Sequence, residues 1–331
     1  MIENKIEVNM ILAGDIGGTK TLLGLFDAAT VRPRAIAVES FATLDYDDLP
    51  SMIAAFVQRA AAQGAIDRAC FGVAGPVIAE AATLTNVPWR VEARTVASAF
   101  TIGHVFLLND LEAMAWAVPA LHEGEVHVLQ EGVALRGGNI ALIAAGTGLG
   151  QAMLHAVDGR FIPSPSEGGH ADFAARNDRE VALLRDLTQR FGRAEVEHVV
   201  SGRGLINIHV VAHRQQPCRA AVDLESPDAP ASISRAALDR TCPGCVETLD
   251  IFVEAYGAEA GNVALRSVAT GGVFIGGGIA PKILPALTSG AFMRAFVAKP
   301  PLDAMLKTMP VKIILNPNAA LLGAAVFAAG R

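Results

Sequence analysis

Short apolar runs separated by turn residues open the chain. Ile11 to Ala13, Leu22 to Phe26 and Ala35 to Phe41 read as three adjacent strands, a meander, that ends before the polar stretch Asp45-Tyr46-Asp47-Asp48. Pro50 then starts a helix whose apolar positions Met52, Ile53, Phe56, Val57 and Ala60 keep helical spacing, and Gly64 ends it. Cys70 to Val73 predicts a buried strand, left by the turn Gly75-Pro76-Val77. A short helix over Arg94 to Phe100 and a second buried strand over Val105 to Leu108 follow. The order βββαβ, then αβ, predicts an α/β fold with a mixed sheet.

After Asn109-Asp110 comes a helix, Leu111 to Ala117, stopped by Pro119, and the boundary to a second domain is placed there. That domain repeats the opening theme. Ile140 to Ala144 is a strand, Gly146-Thr147-Gly148-Leu149-Gly150 a glycine turn, and Ala152 to Ala156 a strand again, which points to a duplicated architecture. The polar, proline-bearing stretch from His213 to Ser234 reads as a surface loop. Helices over Arg235 to Arg240 and Glu247 to Ser267 follow, then a strand over Val273 to Ile275 that feeds Gly276-Gly277-Gly278. Pro281 sits in the first turn of a helix to Leu287. A strand over Val311 to Leu315, the turn Asn316-Pro317-Asn318 and an Ala-rich helix close the chain.

Composition narrows the partners. At 331 residues and 52% hydrophobic the chain is long enough for two cores. Its net charge of -6 and 5% aromatic content argue against a nucleic-acid partner. The tail Ala319 to Ala329 is too short to span a membrane. Met1 to Asn9 lacks the apolar core of a signal peptide, so a cytosolic protein is expected.

The candidate chemistry begins at Gly14-Asp15-Ile16-Gly17-Gly18-Thr19-Lys20. Glycines 17 and 18 permit positive φ and leave no Cβ between backbone N–H groups and an anion, Thr19 adds a hydroxyl, and Asp15 can hold Mg²⁺ directly or through water. An ordinary Gly-Gly hairpin fits the same residues. The turn at Gly146 to Gly150 fails the dinucleotide fingerprint in spacing and context, so the two hairpins read as a clamp on the phosphates of one nucleotide. Gly276-Gly277-Gly278 offers a flat backbone surface for adenine or ribose, or is a tight strand-to-helix turn.

Asp110, on a rigid strand end, suits a base that accepts a hydroxyl proton in phosphoryl transfer, and equally an N-cap. Ser166-Glu167-Gly168-Gly169-His170 and Glu197 bring the carboxylates and imidazole that read a polyol, although solvated surface carboxylates and a zinc site at Glu167 and His170 are the rival accounts. The remaining histidines, His209 and His213 among them, lack metal-like spacing. Cys242-Pro243-Gly244-Cys245 is a lone CxxC, compatible with a redox pair or half a zinc site but without the context of either.

Together the segments GDIGGTKT (14–21), FGVAGPV (71–77), LTNVPW (84–89), LLNDLEAMAWAVP (107–119), AAGTGLG (144–150), PSEGGHADF (165–173), EHVVSGRGL (197–205), GGVFIGGGIAPK (271–282) and NPNAALLGAA (316–325) resemble the bacterial glucokinases of the hexokinase and actin-like ATPase superfamily. The resemblance implies a two-domain actin-like, ribonuclease H-like ATPase fold with a cleft between domains. The domains would be residues 8–117, joined by a C-terminal helix over 318–331, and 118–317. It implies a cytoplasmic enzyme, a homodimer, that uses ATP and Mg²⁺ to phosphorylate the 6-hydroxyl of glucose. Asp110 becomes the catalytic base; Asn109, Asp110, Glu167, His170 and Glu197 bind glucose; Asp15 organises Mg²⁺. Gly17, Gly18, Thr19, Lys20, Gly146, Thr147 and Gly148 bind the phosphates, and Gly276 to Gly278 the adenosine.

Two departures stand out. The ROK group of sugar kinases and repressors carries a cysteine-rich zinc motif after its histidine, whereas Ala171-Asp172-Phe173 follows His170 here; Arg203 stands where some relatives have proline. Kinases for another hexose or amino sugar, and a sugar-responsive regulator on the same fold, are the alternatives. A regulator would need a DNA-binding segment that Met1 to Asn9 is too short to hold.

Overall fold

The computed structural model describes residues 10–29, 31–60, 64–84 and 87–331. Expectations for Met1 to Asn9, for the link between Ala60 and Gly64, and for positions 85 and 86 of the LTNVPW segment lie outside the described residues. The chain divides into two compact units, Met1–His122 with Asn318–Arg331, and Glu123–Pro317.

In the first unit the elements are β1 (Met10–Ile16), β2 (Lys20–Asp27), β3 (Ala35–Ala42), α1 (Leu49–Ala60), β4 (Ile66–Val73), β5 (Val77–Ile78), β6 (Ala81–Thr83), β7 (Arg90–Glu92), α2 (Ala93–Phe100), β8 (His104–Asn109) and α3 (Asp110–Ala117). The main sheet has the order β3-β2-β1-β4-β8. Its first three strands form the expected antiparallel meander, and β4 and β8 join in parallel. Strand side chains alternate between faces, and here both faces are covered. Leu12, Ile16, Leu23, Leu25 and Phe71 pack with Met52, Phe56 and Val96 of α1 and α2. Ile11, Ala13, Phe26 and Leu108 pack with Leu321, Ala324, Ala325 and Phe327 from the end of the chain.

The second unit holds β9 (Val126–Gln130), β10 (Ile140–Ala145), β11 (Leu149–Val157), β12 (Arg160–Ser166), α4 (Asp178–Phe191), α5 (Gly202–Ala212), α6 (Ala229–Leu238), α7 (Pro243–Ser267), β13 (Gly272–Gly276), α8 (Leu284–Leu287), α9 (Ala291–Val297), α10 (Asp303–Leu306) and β14 (Val311–Ile314); α11 (Ala319–Ala329) then returns to the first unit. Its sheet runs β12-β11-β10-β13-β14-β9. The first five strands repeat the order and the directions of the other sheet, two antiparallel pairs followed by two parallel ones. Ile143, Val273, Ile275 and Ile313 pack with Leu249, Phe252 and Tyr256 of α7.

Three details differ from the pattern-based expectation. The junction falls after His122 rather than at 117/118, because Val118–Ala120 continues α3 as a 3-10 turn that holds Pro119 in its first positions instead of ending there. Gly150 pairs with Ala144 inside β11, so the second glycine turn is only residues 146–148. The stretch to Ser234 is not all loop, since α6 begins at Ala229 with Pro230 in its first turn. Among the described residues no helix is long and apolar enough to cross a membrane.

Candidate active site

The first glycine turn is closed by a hydrogen bond from Gly17 N–H to the Lys20 carbonyl at 3.1 Å. Gly17 is not left-handed, contrary to expectation. It is required for room, because a Cβ there would lie 2.7 Å from the Lys20 oxygen. A support absent from the sequence reading comes from Thr43, fully buried with Thr21. Its hydroxyl donates to the Gly17 carbonyl at 2.8 Å and its N–H to the Thr19 carbonyl at 3.0 Å, while the two threonine hydroxyls meet at 2.9 Å. The turn therefore rests on two bonds from the buried Thr43, itself held by Thr21, and is kept in shape before any ligand arrives.

Asp15 lies on β1 opposite Gly72 of β4, and Val73 in turn pairs with Asn109. Asn109 is the N-cap of α3, its Oδ1 accepting from Leu111 N–H at 3.0 Å and Glu112 N–H at 3.4 Å, while its Nδ2 donates to the Gly75 carbonyl at 3.2 Å. Asp110 is the first helical residue, with Oδ1 accepting from the Leu111 N–H at 2.8 Å. The capping role that Asp110 was equally suited to is thus filled by its neighbour. Gly72 makes the approach possible: a Cβ there would meet the Ala113 Cβ at 2.8 Å and the Asp110 Cα at 3.5 Å. Burial, and then the charge of Asp110, raise the Asp15 pKa from 3.8 to about 6, against a smaller opposing effect from Lys20.

That shift fixes a pH dependence. Because the folded pKa is the higher one, the folded chain holds the extra proton between about pH 4 and about pH 6, and stability falls as Asp15 ionises across that window. In the metal-free protein, Asp15→Asn removes this fall and leaves the variant more stable than the parent above about pH 6, a result read from urea midpoints across the pH range. A parent whose midpoint rises with pH over the same window would contradict the assignment.

In the second unit the turn over residues 146–148 closes with Gly146 N–H donating to the Gly148 carbonyl at 2.8 Å, and Gly202 N–H at the start of α5 donates to the Gly146 carbonyl at 2.8 Å. Glu197 is tied to the same turn, one oxygen accepting from Leu149 N–H at 2.7 Å. Gly148 is the residue that admits it, since a Cβ there would lie 2.6 Å from that carboxylate. Gly277 is left-handed at φ 85°, and a Cβ would be 2.2 Å from the Ala145 carbonyl, so the third glycine stretch sits directly over the end of β10. Tyr256, fully buried on α7, joins these strand ends by accepting from Ala145 N–H and donating toward the Gly276 carbonyl, each at 3.2 Å.

A cavity of about 870 Å³ opens beside the second and third glycine turns, lined by Gly146, Thr147, Gly202, Gly278, the stretch 224–228 and the cations Arg203, Arg235 and Lys282. It is large enough for a nucleoside. Gly276 and Gly277 are not among its lining residues and act by positioning Gly278. The three cations and the wall at 224–228 were not anticipated; only Arg203 carried a signal, as a departure from relatives.

Glu167, Gly168 and Gly169 lead to His170 through a 3-10 turn. The glycines press this turn onto β11, where a Cβ at Gly169 would be 2.2 Å from the Leu149 carbonyl and one at Gly168 would be 2.3 Å from the Gln151 side chain. The His170 Nδ1 lies 3.2 Å from Glu195 Oε1, and its Nε2 4.0 Å from Glu167 Oε2. Ligand atoms of His170, Glu195 and Glu197 all lie within 4.8 Å of one another. Glu195, which sequence reasoning missed, raises the His170 pKa chiefly by that hydrogen bond, with burial opposing and Glu197 and Glu167 adding to it. In Glu195→Gln the His170 titration followed by ¹⁵N NMR moves down toward the ordinary histidine value, about 6.5. An unmoved titration would assign the shift elsewhere.

Comparison with known proteins bears on these arrangements. A family model described as Glucokinase matches residues 12–331. The glucokinase of Nostoc punctiforme is 38% identical over 97% of this chain and 99% of that protein. Among solved structures, a glucokinase from an Antarctic psychrotroph superposes with a TM-score of 0.86 at 30% identity, covering 98% of this chain and 99% of that one. The glucokinase of Balamuthia mandrillaris in complex with glucose matches in fold, with a TM-score of 0.81 at 22% identity over 99% of this chain and 96% of that one.

Proposed function

The chain belongs to the glucokinase family and is an ATP-dependent hexose kinase, and we propose that it transfers the γ-phosphoryl group of ATP to the 6-hydroxyl of D-glucose with Asp110 as the general base. Its fold is the actin-like ATPase fold. The observation that carries the assignment is the placement of Asp110 beside Asp15, the carboxylate of the first glycine turn: Asp15 pairs with Gly72, and the Asp110 Cα lies 3.5 Å from where a Gly72 Cβ would stand. A hydroxyl held at Asp110 is therefore close to a phosphate-type turn.

Asp110 accepts the proton of the 6-hydroxyl as that oxygen bonds to the γ-phosphorus. The bond from phosphorus to the bridging oxygen breaks, its electrons leave with ADP, and Asp110 returns the proton to solvent. Asn109, Glu167, His170 and Glu197 hydrogen-bond the sugar hydroxyls, with the carboxylates accepting. Gly17 and Gly146 spend their N–H groups inside their turns, so Gly18, Thr19, Thr147 and Gly148 offer phosphate donors, and Lys20 adds a positive charge. The adenosine takes the cavity beside Gly278.

Asp15 suits Mg²⁺, because a half-buried carboxylate whose ionisation is opposed by burial and by a neighbouring carboxylate gains from a cation. When bound, Mg²⁺ neutralises charge on the β- and γ-phosphoryl oxygens. In this reading the enzyme is a homodimer, and light scattering at the mass of one 34.5 kDa chain would contradict that.

A coupled ADP-release assay over glucose, mannose, fructose and glucosamine tests the substrate. Glucose is expected to give the highest kcat/KM. Faster turnover of another sugar, or none of glucose, would replace the assignment.

A further inference from the structure

We propose that His213, Cys218, Cys242 and Cys245 form a tetrahedral site for one structural zinc ion, away from the proposed catalytic residues. His213 caps the C-terminal end of α5; Cys242 is the N-cap of α7 and Cys245 lies in its first turn. Cys218 belongs to the stretch between α5 and α6, which has neither helix nor strand. Four donors from three segments thus meet at one point. The cysteine motif of the ROK group would follow His170, so this cluster stands on different elements.

The distances fit a metal better than a disulfide. Cys218 Sγ lies 3.9 Å from Cys242 Sγ and 3.8 Å from Cys245 Sγ, and His213 Nε2 lies 3.3 Å from Cys242 Sγ. Ligand atoms at the edges of a zinc tetrahedron are separated by about 3.8 Å for two sulfurs and about 3.5 Å for sulfur and nitrogen, given Zn–S and Zn–N bonds of about 2.3 and 2.0 Å. A disulfide needs about 2.05 Å. Cys218 is nearly equidistant from its two partners, an arrangement that favours one common neighbour over a pair.

The imidazole is oriented for the same task. His213 Nδ1 faces the His209 carbonyl at 2.9 Å. A carbonyl only accepts, so Nδ1 carries the proton and Nε2 turns its lone pair toward the sulfurs, the tautomer a metal-bound histidine takes. Gly244 makes room for the ring, because a Cβ there would lie 2.5 Å from His213 Nε2.

An independent sign comes from His209, one helical turn earlier. It is 3% exposed, and neither of its ring nitrogens has a hydrogen-bond partner. Its ring stacks on His213 at 3.8 Å between centroids, and one of its nitrogens lies within 4.8 Å of the ligand atoms of His213, Cys218 and Cys245. A buried, unpaired imidazole beside two cysteines and a histidine is the donor-rich surrounding a cation would complete. Four protein donors leave no open position, so the ion is structural rather than catalytic. It would fasten the stretch that begins at His213 and continues to the cavity wall at 224–228.

The test uses the whole wild-type chain, purified under reducing conditions and reconstituted with Zn²⁺ or Co²⁺. Elemental analysis is expected to give about one zinc per chain after desalting. The Co²⁺ form is expected to show thiolate-to-metal charge transfer and strong tetrahedral d–d bands. Cys242→Ser with Cys245→Ser, and separately His213→Ala, should bind less than about a tenth as much, while His209→Ala keeps its metal. Chelation of the wild type should speed proteolytic cleavage within 213–228 by about tenfold or more. Zinc below about a tenth per chain in the reconstituted wild type, or octahedral cobalt spectra without charge transfer, overturns the site whether or not the variants fold. Loss of metal in His209→Ala with retention in His213→Ala overturns the ligand set.

Discussion

Asp110→Asn is expected to lower kcat by about 10²- to 10⁴-fold while leaving both KM values within about threefold. The amide is isosteric with the carboxylate and keeps an oxygen for the Leu111 N–H, and the cap of α3 belongs to Asn109, which is unchanged. Helix and turn therefore stay in place, and thermal unfolding should occur no lower than in the parent. What is lost is the group that accepts the hydroxyl proton. The variant also relieves Asp15 of a neighbouring negative charge, so the Asp15 pKa should fall from about 6 toward the value burial alone sets. Steady-state kinetics beside a pH titration separate the two consequences, and near-normal kcat in this variant would remove Asp110 as the base.

Gly323→Ala, a single added methyl on α11, is expected to destabilise the protein by about 3 kcal/mol, the upper part of the usual cost of overfilling a packed core. A Cβ at that position would lie 1.7 Å from the Ala113 carbonyl oxygen and 2.8 Å from the Ala117 nitrogen. Both are backbone atoms of α3, and neither can rotate aside. Gly72 presses on the same helix from the sheet side, with its own virtual Cβ at 2.8 Å from that of Ala113. Ala113, one turn after Asp110, is held between two glycines, so the proposed base sits on a helix with little freedom to shift. Urea midpoints measure the effect, and a change below about 0.5 kcal/mol would mean that α11 yields more easily than its packing implies.

Much of this scaffold was legible from local pattern. The meander, the second hairpin and the strand before Gly276 are runs of apolar residues bounded by turns, and α3 follows directly from Asn109-Asp110. Strands β5 to β7 escaped because two or three residues carry no periodicity. The start of α6 is hidden because Pro230 closes a polar, proline-bearing stretch that reads as loop, although proline suits a first helical turn. The supports of the site were hidden for another reason. Thr43, Tyr256 and Glu195 act on the turn at Gly17, the end of β10 and His170 across long stretches of chain, and nothing in their own neighbourhoods marks them. The cysteine cluster combines both difficulties: Cys242-Cys245 looked like half a motif, and its complement, His213 and Cys218, lies more than twenty residues earlier in a segment without regular structure.

Because α11 covers Ile11, Ala13, Phe26 and Leu108, the first unit is sealed by a segment translated only after Glu123–Pro317. A ribosome completes that sheet early, then makes all of Glu123–Pro317 before the lid on its apolar face exists. Through that interval the nascent chain presents a sticky surface, a place for a holding chaperone to bind and for aggregation to begin. A stop codon or frameshift within the codons of Ala319–Ala329 would leave that surface bare for good.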